Sequence, residues 1–169
     1  MRGLIEDEGR APWQREADAL GLAAPDLVIQ PMEARTLARW DEAERRVEVN
    51  AAGILYEGVG PMELVVATIH EVFHAYEHEF VRTGEWRAWP DDPAALEGLR
   101  RAWAAELSSV EPGSPEAYLS RSVERAARDY SHVRAAAYVS ELARLGVRVD
   151  SVDGMSVTYE GEGDGRAVG

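Results

Sequence analysis

Residues 61–82, PMELVVATIHEVFHAYEHEFVR, carry the strongest hydrophobic pattern in this sequence of 169 residues. Apolar residues recur every three or four positions, which is the spacing of an α-helix with one buried face. On a helical wheel they form a stripe about 120° wide. Its members are Met62, Val65, Val66, Ile69, Val72, Phe73, Tyr76 and Phe80. Since Pro61 suits a first turn and Gly84 a helix end, the sequence predicts a core helix from Pro61 to about Arg82.

An H-E-x-x-H motif, His70-Glu71-Val72-Phe73-His74, lies at one edge of that stripe. Residues i and i+4 of a helix lie about 40° apart around the axis and about 6 Å apart along it. Two imidazoles with this spacing can bind one Zn²⁺ ion, so His70 and His74 are candidate ligands. Glu71 lies about 100° from His70, where its carboxylate can reach a water molecule on the metal. Zinc lowers the pKa of such a water, and Glu71 can accept its proton as a general base.

The apolar residues around the motif disfavour a purely structural interpretation of it. Two surface histidines with a helix-stabilising glutamate between them would not need such apolar neighbours. Glu77 falls beside both histidines on the wheel, so we expect it to contact a histidine ligand. His78 lies on the opposite flank of the stripe and is not expected to share a metal with them.

These residues resemble the zincin metallopeptidases, whose H-E-x-x-H helix supplies two zinc ligands and a general base. The metzincin subclass would need glycine, then histidine or aspartate, at the positions that Glu77 and Phe80 occupy here. The sequence is more similar to the gluzincin subclass, which takes a glutamate ligand from a later helix. Residues 122–130, SVERAARDY, match the E-x-x-A-x-x-Y pattern of compact members. This resemblance implies Glu124 as the third metal ligand.

The hydrophobic pattern of the later helix supports Glu124 independently. Its apolar stripe consists of Leu119, Val123, Ala126, Ala127, Tyr130, Val133, Ala137 and Tyr138. Glu124 lies at one margin of this stripe, as the histidines do on theirs, and the small Ala127 would let two helices approach closely. The alternative third ligands are Asp129, His132, Glu106 and Glu77. Asp129 is the strongest of them, because it borders the other margin of the same stripe.

Three further residues of the later helix are candidates for stabilising charge during a reaction. Tyr130, His132 and Arg134 each carry a group that could polarise a carbonyl or stabilise an oxyanion. Core packing is the alternative for Tyr130, which lies in the apolar stripe, and solvent exposure is the alternative for His132. Arg134 also lies in the stripe, where it could instead pair with a buried carboxylate.

Shorter elements are predicted around the two long helices. Before the core helix these are a helix over 12–22, a strand over 27–30, a β-hairpin of 36–40 with 46–50 and a short helix over 51–56. After it come a helix over 94–109, a single long helix from beyond Pro115 to about Leu145 and a small hairpin of 147–150 with 155–159. The expected fold class is α+β, with a small antiparallel sheet packed against a helical core, as in a minimal zincin-like domain over residues 1–159. Residues 160–169 are acidic and rich in glycine, and we expect them to be disordered.

The second strand of the predicted hairpin has a possible role in binding. In zincins an edge strand lies beside the active-site helix and pairs with extended substrate backbone. Arg46–Asn50 stands in the corresponding place, just before the core helix. Substrate addition at such an edge would tolerate many sequences, whereas the alternative is an edge strand with no such role.

The composition disfavours several classes of function. All 18 basic residues are arginine, and 31 acidic residues give a formal net charge of −13, which disfavours nucleic acid and anionic membranes as partners. The absence of cysteine excludes disulfides and thiolate ligands. No secretory signal or membrane-spanning run is recognisable, so we expect a protein of the bacterial cytoplasm.

Together these features predict a zinc-dependent metallopeptidase with Glu71 as its general base. Its partner would be a peptide or protein substrate, and the negative charge would favour basic segments at long range. Two alternatives remain open. The site could bind metal for oxidative modification of peptides, or the chain could be a non-catalytic interaction domain with a zincin shape.

Overall fold

The computed structural model describes residues 11–33, 36–52, 59–89, 92–109, 113–144, 148–149 and 157–158. In these residues one helix is followed by three short strands, four helices and two further strands. The helices are α1 (Pro12–Ala19), α2 (Pro61–Thr83), α3 (Pro93–Leu107), α4 (Pro115–Ser120) and α5 (Ser122–Arg144). The strands are β1 (Asp26–Gln30), β2 (Ala38–Asp41), β3 (Arg46–Asn50), β4 (Arg148–Val149) and β5 (Val157–Thr158). The chain therefore has the expected α+β class.

Some predictions fall on residues outside these ranges. Ala51 and Ala52 are helical, and the remainder of the predicted helix over 51–56 lies outside the described residues. Strands β4 and β5 pair antiparallel, as the predicted C-terminal hairpin requires. The turn of that hairpin and the expected tail over 160–169 also lie outside the described residues.

Helix α2 begins and ends close to where its sequence indicates. Pro61 occupies the first helical position, and the Glu63 carboxylate accepts a hydrogen bond from the Gly60 N–H at 2.6 Å. At the other end Gly84 has φ +76°, a left-handed conformation that glycine adopts without strain. The fully buried members of the predicted stripe are Met62, Ile69, Val72, Phe73, Tyr76 and Phe80. The prediction of a core helix is therefore confirmed.

The three-stranded sheet has the order β1-β3-β2 and is mixed, whereas an antiparallel sheet was expected. The predicted hairpin is confirmed, since β2 and β3 pair antiparallel with Trp40 opposite Val47. Strand β1 pairs with β3 in parallel, with Leu27 beside Val47. The central strand β3 therefore runs in the same direction as β1 and opposite to its hairpin partner β2.

This strand order corrects the prediction that Arg46–Asn50 is an edge strand. As β3 it is hydrogen-bonded on both sides, so it has no free edge to offer a substrate. Residues Val47 to Asn50 are all buried, which suits a central strand. The edge strand that packs against α2 is β2 instead.

The predicted long helix after Pro115 is interrupted at Arg121. This residue has φ −58° and ψ 144°, an extended conformation that separates α4 from α5. The Glu106 side chain of α3 occupies the interruption: its carboxylate accepts hydrogen bonds from the Ser122 N–H at 3.1 Å and the Val123 N–H at 3.1 Å. Because the first N–H groups of a helix have no partner within it, this carboxylate caps α5 from outside.

A buried carboxylate joins the first helix to the last long one. Glu16 of α1 is 0 % exposed, and its two oxygens accept hydrogen bonds from Arg134 at 2.7 and 2.8 Å. The hydroxyl groups of Tyr130 and Tyr138 donate to the same carboxylate at 2.7 and 2.9 Å. Burial and the nearby Glu16 charge raise the pKa of both tyrosines, so both remain donors at neutral pH. Pairing with a buried carboxylate, which was given as the alternative for Arg134, is therefore what the structure shows.

No helix in the described part of the chain has the length and apolar composition needed to cross a lipid bilayer.

The Glu16 cluster predicts a large effect of a small substitution. We expect Glu16→Gln to lower the free energy of unfolding by about 2–3 kcal/mol, because it leaves Arg134 without its charged partner at a site that is only partly exposed. Urea unfolding followed by circular dichroism measures this. Glu85→Gln is the matched control, since Glu85 is an exposed partner of exposed Arg87 and its loss should cost under about 0.5 kcal/mol. Equal stability of the two variants would contradict the prediction.

The Glu106 cap predicts a pH-dependent contribution to stability. Burial raises the pKa of Glu106, but hydrogen bonds from the start of α5 outweigh it and hold the pKa below its ordinary value. A carboxylate with a lowered pKa stabilises the fold above its unfolded-state pKa, and this contribution disappears as the pH falls through the folded-state value. We therefore expect Glu106→Gln to cost about 1 kcal/mol at pH 7. The difference from wild type in urea unfolding should shrink below about pH 4, and a difference that grows there would refute this role.

Candidate metal centre

Two histidines of α2 and one glutamate of α5 converge on a single point. The Nε2 atoms of His70 and His74 lie 3.0 Å apart. The Glu124 carboxylate faces both of them, with Oε2 at 3.4 Å from His70 Nε2 and Oε1 at 3.4 Å from His74 Nε2. Among the described residues, this is the group of histidine and carboxylate side chains with the spacing to hold a metal ion.

These distances suit a small tetrahedral ion. Ligand atoms around tetrahedral Zn²⁺ lie about 3.3 Å apart, because each is about 2.0–2.1 Å from the metal. The two histidine nitrogens are 3.0 Å apart, and each lies 3.4 Å from a different oxygen of the Glu124 carboxylate. Two imidazole nitrogens and one carboxylate are also a donor set that zinc accepts, with a fourth position left for water or substrate. The residues present therefore fit the ion that the sequence predicts, although other divalent ions accept the same ligands.

Glu77 orients one of the histidines. Its Oε2 lies 2.7 Å from His74 Nδ1, where the carboxylate can accept the Nδ1 proton and so direct Nε2 toward a metal. Glu77 is 0 % exposed, and this burial raises its pKa to about 7 against the lowering effect of His74. The other oxygen of Glu77 has no hydrogen-bond partner among the described residues. The sequence-based expectation that Glu77 contacts a ligand agrees with this arrangement.

The electrostatics of the cluster favour a positive charge at its centre. Burial alone would lower the pKa of His74, but hydrogen bonds with Glu124 and Glu77 hold it well above the ordinary value. Burial would likewise raise the pKa of Glu124, but hydrogen bonds with His70 and His74 hold it far below the ordinary value. A cation bound between these groups would take the place of the proton that the raised pKa keeps on His74. It would also offset the cost of burying two carboxylates.

Glu71 lies beside the cluster with one oxygen engaged. Its Oε2 accepts a hydrogen bond of 2.7 Å from the backbone N–H of Trp40 in the edge strand β2. The Asn50 N–H donates to the Leu37 carbonyl at 2.9 Å, and backbone groups alternate in direction along a strand. The N–H and C=O groups of Ala38 and Trp40 therefore point away from β3, toward α2.

A cleft of about 960 Å³ opens beside these groups. One wall is β2, with Ala38, Arg39 and Trp40, and the floor includes Glu71, His74 and Glu124. Tyr118 of α4 and Arg121 at the helix interruption form the opposite side. The Tyr118 side chain contributes to the lowering of the Glu124 pKa, after the two histidines. His74 and Glu124 thus border an open cleft rather than a closed core.

The remaining candidates lie elsewhere. Among the alternative third ligands, Glu106 caps α5, Glu77 bonds the far side of His74, and Asp129 lines a second cavity on the other face of α5. His132 is exposed on α5 and belongs to no metal-binding group in the described part of the chain. His78 Nδ1 lies 3.7 Å from a Glu42 oxygen, and His78 is not part of the group that could hold a metal, as predicted.

The structure also separates Tyr130 from the cluster. Its hydroxyl bonds Glu16, and its ring stacks on Phe73 with the centroids 4.6 Å apart. Its place in the apolar stripe had indicated packing as the alternative to catalysis, and the structure agrees with packing. The carbonyl-polarising roles considered for Tyr130 and His132 are therefore not supported by their positions.

Sequence reasoning missed two groups near Glu71 and Glu124. The Trp40 N–H is a backbone group, so no side-chain pattern could indicate it. Tyr118 was missed because a continuous helix would place it and Glu124 on different faces. A signal was available at Ser114 and Pro115, which begin a helix only eight residues before another possible start at Ser122.

Comparison of the chain with family models, with curated proteins and with solved structures gave no match.

The contact between Glu77 and His74 predicts an effect on metal binding. We expect Glu77→Ala to weaken Zn²⁺ binding about 10- to 100-fold, because His74 loses the acceptor that fixes its ring and its proton. Competition with a chromophoric chelator measures the affinity. The matched control is Glu79→Ala on the same helix, where the carboxylate bonds Arg82 on the surface. Equal zinc affinity in all three proteins would exclude this role for Glu77.

Proposed function

We propose that this protein is a metal-dependent peptidase in which His70, His74 and Glu124 hold a divalent ion, with Zn²⁺ as the expected metal. The proposal rests on one observation above the others. One ligand atom from each of His70, His74 and Glu124 lies within 4.8 Å of the others, and the group borders an open cleft that also contains the carboxylate of Glu71. That combination is the one required for attack of water on a carbonyl group.

The chemistry divides between the ion and the chain. When bound, the ion supplies Lewis acidity and lowers the pKa of water. Glu71 accepts the proton that water loses as its oxygen adds to the carbonyl carbon of the substrate. The same carboxylate then donates this proton to the amide nitrogen as the C–N bond breaks. The Trp40 N–H holds Glu71 Oε2, and the second oxygen has no partner among the described residues, so it can take part in this transfer.

The edge strand β2 supports a peptide as the substrate. Ala38 directs its backbone N–H and C=O toward the cleft side of β2, where an extended peptide could add as a further strand. Pairing through backbone groups recognises any extended chain and depends little on its side chains. The strand that would pair with a substrate is therefore β2, in place of Arg46–Asn50.

Metal analysis and a pair of variants test the proposal. Purified wild-type protein should contain close to one zinc per chain, and a His70→Ala/His74→Ala variant should contain almost none. Glu71→Gln should keep zinc and lose turnover by at least about 10²-fold, because the amide cannot accept a proton. Turnover is measured as new N-termini in a library of proteome-derived peptides incubated with the zinc-loaded protein.

Glu79→Gln is the control for these measurements, since this residue lies on the same helix but bonds Arg82 on the surface. It should keep both zinc and turnover. Full zinc content in the double histidine variant would refute the metal site. The same new N-termini with Glu71→Gln as with wild type would refute the hydrolytic role while leaving the metal site standing. Modified peptides that form only with iron and O₂ would favour the oxidative alternative.

A further inference from the structure

The cleft continues past the candidate metal ligands along the segment that leads into β2. In this segment Pro31, Met32, Glu33 and Thr36 line the cleft. A peptide that pairs with the edge of β2 and is longer than β2 extends over this segment, because the two are consecutive in the chain and border the same cleft. The side chains of the segment are therefore placed to meet a side chain of such a peptide.

A buried asparagine holds this segment in place. Asn50, at the end of the central strand β3, is 1 % exposed, and its side-chain N–H groups donate to the carbonyl groups of Glu33 at 3.2 Å and Thr36 at 2.8 Å. Its side-chain oxygen accepts a hydrogen bond from the Met32 N–H at 3.2 Å, and its backbone N–H donates to the Leu37 carbonyl at 2.9 Å. The sheet thus fixes the backbone on both sides of Glu33.

The charge of Glu33 is not compensated within the described part of the chain. Its carboxylate is exposed and makes no hydrogen bond or ion pair with another described residue. Arg39, on the same wall of the cleft, is instead paired with the buried Glu48, with 2.6 Å between Nη2 and Oε2. On the opposite side, Arg121 donates a hydrogen bond to the backbone carbonyl of Glu106. Glu33 therefore offers a negative charge, at a fixed place in the wall, to a group that enters the cleft.

We propose that Glu33 is a specificity-determining residue that pairs with an arginine or lysine side chain of the peptide substrate. The inference rests on the proposed function, because it takes the cleft to bind a peptide for hydrolysis. The aliphatic part of a long basic side chain can lie along Pro31 and Met32 while its charged end reaches the Glu33 carboxylate. The net charge of −13 attracts basic peptides as a whole, whereas Glu33 selects a basic residue at one position relative to the cleaved bond.

Reversal of this one charge tests the inference. In the peptide library, zinc-loaded wild type should favour arginine and lysine at one position relative to the cleaved bond. Its kcat/KM should be about 2- to 5-fold higher for a peptide with arginine there than for a matched peptide with glutamine. Glu33→Arg should favour glutamate over arginine at the same position and keep its zinc content. Because Glu33 is exposed, the fold should be retained, which a thermal melt verifies.

Glu44→Arg is the matched control. Glu44 is exposed in the turn between β2 and β3 and does not line the cleft, and this substitution changes the net charge by the same amount. It should keep the wild-type preference. If wild type cleaves peptides without a basic preference, or Glu33→Arg retains that preference, the inference fails and the proposed function stands. If Glu44→Arg also reverses the preference, net charge sets it and the inference fails. Absence of any cleavage refutes the proposed function and this inference together.

Discussion

The contact between α2 and α5 is the constraint on which the rest of this structure depends. Phe73 of α2 stacks on Tyr130 of α5, and the fully buried Ala127 leaves room for the two helices to approach. At this separation Glu124 reaches within 3.4 Å of both His70 and His74. Apolar packing on one face of each helix therefore determines the distance between polar groups at the margin of that face. A wider separation of the two helices would move Glu124 out of reach of the histidines.

Buried carboxylates are the second physical feature of this molecule. Their charge is compensated differently at Glu16 and at the pair Glu77 and Glu124. Glu16 accepts four hydrogen bonds, two of them from Arg134, and so has its compensation within the chain. Glu77 and Glu124 are also buried, and among the described residues the basic side chains that contact them are those of two histidines. Carboxylates in excess over cations at a buried site are costly unless a cation binds. This imbalance supports the proposed metal site, and the contrast with Glu16 supports a structural role for that residue.

The local elements were predictable, because each has a signal within a few residues. Pro61 and Gly84 mark the ends of α2, and alternating residues on both sides of a polar turn mark the β2–β3 hairpin. The errors occur where elements meet. The residues of a single strand do not show that β3 would lie between β1 and β2. The prediction therefore assigned the edge strand to the wrong segment. Nor can it show that Glu106, in another helix, would occupy the start of α5 and divide one predicted helix into two.

The sequence by itself determined the spacing of His70, Glu71 and His74, because the geometry of one helix is the same wherever it lies. It also indicated Glu124, through a matching motif and a place at the margin of an apolar stripe. Only the tertiary structure brought Glu124 rather than Asp129 to the two histidines, since Asp129 lies on another face of the same helix and the two-helix packing selects one face. It alone placed the Trp40 N–H on Glu71 and Tyr118 beside Glu124. Contacts between side chains or backbone groups of different elements depend on how those elements pack, and no periodicity within one segment records that.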